Sequence, residues 1–227
     1  MIVLDTRTQR WRSEVSPLRP SGLMDWESIT DLQHQLKHEE AVIMISPSPV
    51  FGVKLIEVIQ QIVTLMGKPL VVDAENWMVH PGAAYTLLNL FRHSQTPKNF
   101  SILSGDVHYS FVNEVHIRGK QDTSTIWQIN SSGIKNEFPS RLIQTLDWLN
   151  RWLFSPSSPL NWFTKRRHMK ITPYKPTHGK KGHRLYNGSG VGMVYFNDQG
   201  QPQEIFQLNA RHELVEFIPQ EEFTMED

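Results

Sequence analysis

The chain has 227 residues, 39% of them hydrophobic, a formal net charge of zero and no cysteine. That length allows one large domain or two small ones with a sizeable core. Zero net charge gives no general pull toward nucleic acid or a membrane, and the lack of cysteine excludes disulfides and thiolate metal sites. The sequence does not open on a basic leader with an apolar core. It also has no apolar run of the roughly 18 residues needed to span a bilayer, so the expectation is a cytoplasmic protein.

Ile2-Val3-Leu4 reads as a strand running into a polar loop, Asp5 to Arg12. From Asp25 to Lys37 the apolar residues Trp26, Ile29, Leu32 and Leu36 recur at helical spacing, with Asp25 as N-cap. Ala41 to Ile45 is a buried strand, stopped by Ser46-Pro47-Ser48-Pro49. Gly52 to Met66 is apolar nearly all round. It reads as a buried helix, although its β-branched residues keep a strand reading open.

Leu70-Val71-Val72 is a short strand or the lead into Asp73-Ala74-Glu75-Asn76-Trp77. Pro81 then sits where a first helical turn accepts proline, before a helix continuing to His93. Phe100 to Leu103, Phe111 to Ile117 and Thr125 to Ile129 read as strands, and Pro139 to Phe154 as a helix. Trp148, Trp152 and Trp162 are expected to pack inward, and His116 to face solvent.

Residues 155–189 are rich in proline, serine, glycine and basic side chains, and no Asp or Glu occurs from Trp148 to Asn197. The expectation is a long exposed basic loop that is either only solvated or grips a polyanion. Gly190 to Phe196, Gln203 to Leu208 and Glu213 to Ile218 then read as an antiparallel meander. Alternating helices and strands followed by this meander give an α/β fold class with C-terminal antiparallel strands.

The segment that carries chemistry is Ser104-Gly105-Asp106-Val107-His108-Tyr109-Ser110, at the end of an apolar strand. A carboxylate and an imidazole two residues apart on such a turn suit Fe, Zn or Mn. The alternative is that Asp106 caps the turn and His108 packs.

This segment, together with Leu4-Asp5-Thr6-Arg7-Thr8, Ile45-Ser46-Pro47-Ser48-Pro49, Asp73-Ala74-Glu75-Asn76-Trp77 and Ser131-Ser132-Gly133-Ile134-Lys135-Asn136, resembles the C-terminal half of the PhoD-like (alkaline phosphatase D type) metallophosphatases. The resemblance covers most of residues 1–154 and implies part of a four-layer αββα sandwich. It also implies two metal ions, iron with calcium or a Mn or Zn pair, and hydrolysis of phosphate mono- or diesters by a metal-activated water. It makes Asp106, His108 and Asp5 metal ligands, and Arg7 a phosphate partner beside the catalytic Asp106 and His108. Asp73, Trp77 and His80 fall on the substrate rim, His80 with a solvated turn as its other reading.

The early Asp, Gly-Asp and Asn-His-Asp ligands of that family have no counterpart. Asp106-Val107-His108 is the one D-x-H in the chain, and Gly105-Asp106 the one Gly-Asp pair. The expectation is therefore an incomplete enzyme, inactive alone, whose partner would be an N-terminal half. Two other readings stand beside it: a non-catalytic remnant of the scaffold, and a module that binds a polyanion through residues 165–184. On the first reading residues 1–154 are the C-terminal portion of a PhoD-like metallophosphatase domain, 155–189 a basic loop and 190–227 terminal β-strands of the same domain.

Overall fold

The computed structural model describes residues 1–6, 8, 23–58, 77–78, 81–93, 95–117, 124–133, 139–154, 158–160, 169–178 and 183–219. Over the described residues the chain is a mixed α/β protein with one nine-stranded, strongly curled half-barrel sheet and four helices. The strands are β1 (Ile2–Val3), β2 (Ala41–Ser46), β3 (Asn99–Ser104), β4 (Phe111–Ile117), β5 (Thr125–Asn130), β6 (Met169–Pro176), β7 (Gly190–Phe196), β8 (Pro202–Asn209) and β9 (Leu214–Pro219). The helices are α1 (Trp26–Gln35), α2 (described over residues 54–58), α3 (Pro81–Arg92) and α4 (Ser140–Leu153). Across the sheet the strand order is β1-β2-β3-β5-β4-β6-β9-β8-β7.

Local chemistry explains the elements that position the sheet. Asp25 caps α1 by accepting from Ser28 N at 2.7 Å, which satisfies one of the free donors of the first turn. In α3, Ala84, Leu87, Leu88 and Phe91 recur at the i, i+3, i+4, i+7 spacing of one helix face, and all four are buried. Phe91 sets its ring edge-on to Phe100 of β3, with centroids 4.9 Å apart. Burial of such a side chain stabilises by roughly 1.5–3 kcal/mol.

β1, β2, β3 and β5 run parallel, with Val3 opposite Ile45, Ile45 opposite Leu103 and Leu103 opposite Ile129. Helices α1 and α3 cover one face of this parallel part, over Val42, Met44, Phe100, Ile102 and Ile126. The curl brings the meander over the opposite face, where Trp127 and Ile129 of β5 meet Ile205 of β8 and Phe217 of β9. The β7–β8 turn returns far enough for Gln201 Nε2 to donate to Asn99 Oδ1 at 3.0 Å. Gly200 in that turn has φ +71° and lies against Ala41 of β2, a position that excludes a Cβ on both counts.

Two expectations are corrected here. The span 155–189 is not one loop: Met169–Pro176 forms β6, inside the sheet. Its two prolines disguise it, since a central strand rarely accepts proline. The register resolves this. Residues Met169 to Pro173 pair with β4, and pairing with β9 begins only at Tyr174. Pro173 therefore sits where the second side of the strand carries no β9 ladder.

Trp148 and Trp152 are 56% and 68% exposed rather than packed inward. The inward face of α4 is carried by Ile143 and Asp147, and the two indoles stack on the outside at 6.2 Å with 7° between planes. Residues Lys165, Arg166, Arg167, Lys180, Lys181 and Trp162 lie outside the described residues. Among the described residues no helix is long and apolar enough to cross a membrane.

Candidate functional site

Parallel strands place all their carboxyl ends on one rim, the usual location for ligands in such sheets. Here the rim carries Asp5 two residues after β1, Ser46 at the end of β2, the Gly105–His108 turn after β3, and Asn130-Ser131-Ser132 at the end of β5.

The turn after β3 is tightly specified. Val107 N donates to Gly105 O at 2.9 Å, closing a three-residue γ-turn around Asp106, whose φ is +69°. A non-glycine residue in that region is strained, and such strain persists only where the surroundings over-determine it. They do so here. Gly105 N donates to Pro47 O at 3.3 Å, and Ser131 N to Ser104 O at 3.0 Å. Beyond the turn Tyr109 and Ser110 are buried, and Ser110 exchanges both backbone bonds with Tyr186. The result is a rigid loop with the Asp106 and His108 side chains exposed on the rim. Its neighbour Tyr109 has its phenol pushed well above the ordinary range, first by burial and then by the Glu57 carboxylate.

Beneath the turn lies a network of buried amides and hydroxyls. Gln128 Nε2 donates to Ser104 Oγ at 2.8 Å, and Ser104 Oγ donates to Asn130 Oδ1 at 2.8 Å. Asn130 Nδ2 then donates to Tyr109 O at 2.7 Å. The other end of Gln128 accepts from Val50 N at 2.8 Å and Phe51 N at 3.1 Å. Ser132 N donates to Ser110 Oγ at 2.8 Å, and Ser131 Oγ to Gln207 Oε1 at 3.0 Å. The sequence motifs contain Ser104, Ser110, Ser131 and Ser132, but sequence reasoning missed Gln128, Asn130 and Gln207 and the bonds that join them, because a polar side chain inside a strand pattern carries no local mark of a distant partner.

The expected site residues divide three ways. Asp106, His108 and Asp5 do share the rim. Asp5 and Gly105 stand at the same level with β2 between them, so their main chains are two strand spacings, roughly 10 Å, apart. The Asp5 carboxylate is engaged locally, accepting from Thr8 N at 2.8 Å and from Thr8 Oγ1. Trp77, expected on the rim, is fully buried instead; its indole N–H donates to Ser46 Oγ at 3.1 Å, so it backs the end of β2 from the core side. Arg7, Asp73 and His80 lie outside the described residues. His116, expected simply to face solvent, is half-buried and pairs with Glu114 on its own strand face, Nε2 to Oε1 at 2.8 Å.

The donor types on the rim suit a transition metal, but their number does not. Among the described residues no group of three or more His, Asp or Glu side chains could hold a metal ion. The turn by itself is thus a ligand pair without a complete centre. No protein-family model, curated protein or solved structure matches this chain.

Proposed function

We propose that the chain is the C-terminal portion of a PhoD-like metallophosphatase, a hydrolase of phosphate mono- or diesters belonging to the four-layer αββα class. On this reading Asp106 and His108 are metal ligands and Asp5 a third, two metal ions complete the enzyme, and Arg7 meets the phosphate. The observation that carries the reading is the strained γ-turn at Asp106. It lies at the carboxyl end of a parallel strand between two others and holds a carboxylate and an imidazole out to solvent. Such backbone strain concentrates at functional sites. Because the described residues do not assemble a metal centre, further polypeptide has to supply the remaining ligands, either from the rest of this chain or from another.

The test is metal analysis and hydrolysis of bis(p-nitrophenyl) phosphate with added Fe and Ca, Mn or Zn. It compares the pure chain with a chain extended upstream by whatever reading frame precedes it. The chain alone should retain substoichiometric metal and turn over little. The extended chain should hydrolyse the diester in a metal-dependent way that His108→Ala abolishes. Hydrolysis that survives both chelation and His108→Ala would overturn the reading.

One observation favours a non-catalytic scaffold as the second reading. The rim amides and hydroxyls of Gln128, Ser104 and Asn130 satisfy one another, as in a structural network. An extended chain that folds but binds no metal would support that alternative.

A further inference from the structure

Among the described residues, exposed large apolar side chains gather on two faces. Leu142, Trp148 and Trp152 stand on the outer arc of α4, and Val191, Tyr195, Leu214 and Ile218 on the meander. Single exposed apolar residues need no explanation, but a contiguous apolar face marks a surface built to be covered.

The α4 face is apolar and basic. Its indoles stack, Arg141 and Arg151 are the basic residues of the helix, and its one acid, Asp147, is buried inward against His183 and Arg184 N. The meander face is apolar and acidic. Its ladders set Val191 opposite Leu208, Tyr195 opposite Glu204, Phe206 opposite Glu216 and Leu208 opposite Leu214. Directly opposed residues share a face, so Glu204 and Glu216 lie among these apolar side chains. Lys175 of β6 is paired with Ile218 and stands at the far edge.

The two faces cannot cover each other within one molecule. On β4, Phe111 packs in the cluster of Ile143 of α4, whereas the next residue, Val112, packs in that of Ile205 and Phe217. Successive strand residues point to opposite sides, so α4 and the meander lie on opposite sides of the sheet. Their dimensions agree. α4 has 14 residues, so it is about 21 Å long and about 10 Å across. β7 has 7 residues, about 23 Å, and three strands are roughly 10 Å wide.

Like faces do not suit each other. An antiparallel α4 pair sets Arg141 of one copy beside Arg151 of the other, and two stacked meanders bring Glu204 and Glu216 toward their own counterparts. Like charges so placed oppose association. α4 on the meander instead brings Arg141 and Arg151 toward Glu204 and Glu216, and lays a helix over a bare sheet face, a standard way of burying one.

We propose that the chain associates with its own copies head to tail, α4 of one seated on β7, β8 and β9 of the next. Such a contact leaves one face open at each end and so propagates. It covers less than the ~800 Å² per partner of a standard interface, so it is weak and fills on the order of tens of micromolar protein. It does not depend on the phosphatase reading. The test is sedimentation velocity of the chain in EDTA from about 5 to about 200 µM. Mass should rise with concentration past that of a dimer. The double variants Trp148→Ser with Trp152→Ser and Val191→Ser with Leu214→Ser, all at exposed positions, should each weaken association roughly tenfold or more. Their equimolar mixture should form a dimer of one copy of each that grows no further, because each supplies the face the other lacks. Circular dichroism checks the folds. If a double variant does not fold, Arg141→Glu and Glu204→Lys decide: each alone should weaken association roughly threefold or more, and both in one chain should restore it. A parent chain that stays monomeric throughout, whether or not it binds phosphatidylglycerol vesicles, would overturn the proposal. So would association unchanged in either double variant, a mixture that stays monomeric, or a charge swap that restores nothing.

Discussion

Gln128 on β5 and Ser104 at the end of β3 are joined by a 2.8 Å hydrogen bond, and the same Gln128 amide receives the backbone N–H groups of Val50 and Phe51. One fully buried side chain therefore ties the loop after β2 to the strand that feeds the Asp106 turn.

Gln128→Leu keeps the volume and removes both ends of that tie. It leaves two backbone donors and the Ser104 hydroxyl short of a partner. The expected loss is about 2–4 kcal/mol of unfolding free energy, read from urea denaturation. A loss within ~0.5 kcal/mol would show that the loop after β2 does not depend on Gln128.

The exposed pair on the turn should behave in the opposite way. Neither side chain contributes to the core, so His108→Ala should leave stability within about 0.5 kcal/mol of the parent. Asp106→Gly relieves a φ of +69° but gives up the side chain's own interactions and adds glycine's chain entropy, so stability should stay within about 1 kcal/mol of the parent. In any complete assembly that hydrolyses phosphate esters, each substitution should lower turnover by roughly 10²-fold or more. Thermal melts beside kinetics separate the two effects. A destabilised His108→Ala would mean that the imidazole is structural.

How much of this was legible beforehand depended on where each residue finds its partner. The Asp25 cap, the α3 face and the strand before the Asp106 turn were readable because their determinants lie within one turn or one alternation of the chain. β6 was hidden by Pro173 and Pro176, which are acceptable only given a register that no local pattern encodes. The Gln128, Ser104 and Asn130 network was equally hidden, since its bonds cross between strands and loops far apart in sequence. Asp147 was the exception that could have been found: an acid one turn after Ile143, on the apolar side of an amphipathic helix, breaks the local rule in plain view.

Gly190 and Gly133 form a matched test of the meander. A Cβ on Gly190 would lie 2.2 Å from Leu208 O, across the β7–β8 ladder, whereas a Cβ on Gly133 meets nothing within 4 Å. Gly190→Ala should cost about 1–3 kcal/mol or more, because backbone has to shift to admit it. Gly133→Ala should stay within about 0.5 kcal/mol. Equal melting temperatures for the two variants would place β7 elsewhere.

Tyr174 supplies a prediction in pH. Its phenol is pushed up to about 12 by partial burial, by the nearby Glu114 carboxylate and by a hydrogen bond to it. A folded pKa above the unfolded value near ~10 favours the neutral phenol in the native state. The stabilisation is fully present below pH ~10 and is lost as pH rises toward 12. Phenolate absorbance should therefore show Tyr174 titrating late in the native protein. Glu114→Gln should move that step to lower pH by removing the charge. An unmoved step would assign the shift to burial alone.

The strand that changes partners at Pro173 also divides the sheet by the distance the chain must search. β7, β8 and β9 close through tight turns, while β1 must find β2 across Ile2 to Met44, and β2 must find β3 across Ala41 to Asn99. Hairpins close in microseconds and distant parallel pairing is slow. The meander and the β4–β5 pair are thus the quickest parts of the sheet to form, and Ile205 and Phe217 stay uncovered until the two dock. In pulse-labelled hydrogen exchange the β7–β8 and β4–β5 amides should be the first protected and the β1–β2 amides the last. The waiting interval is when the chain is most open to association with its own copies.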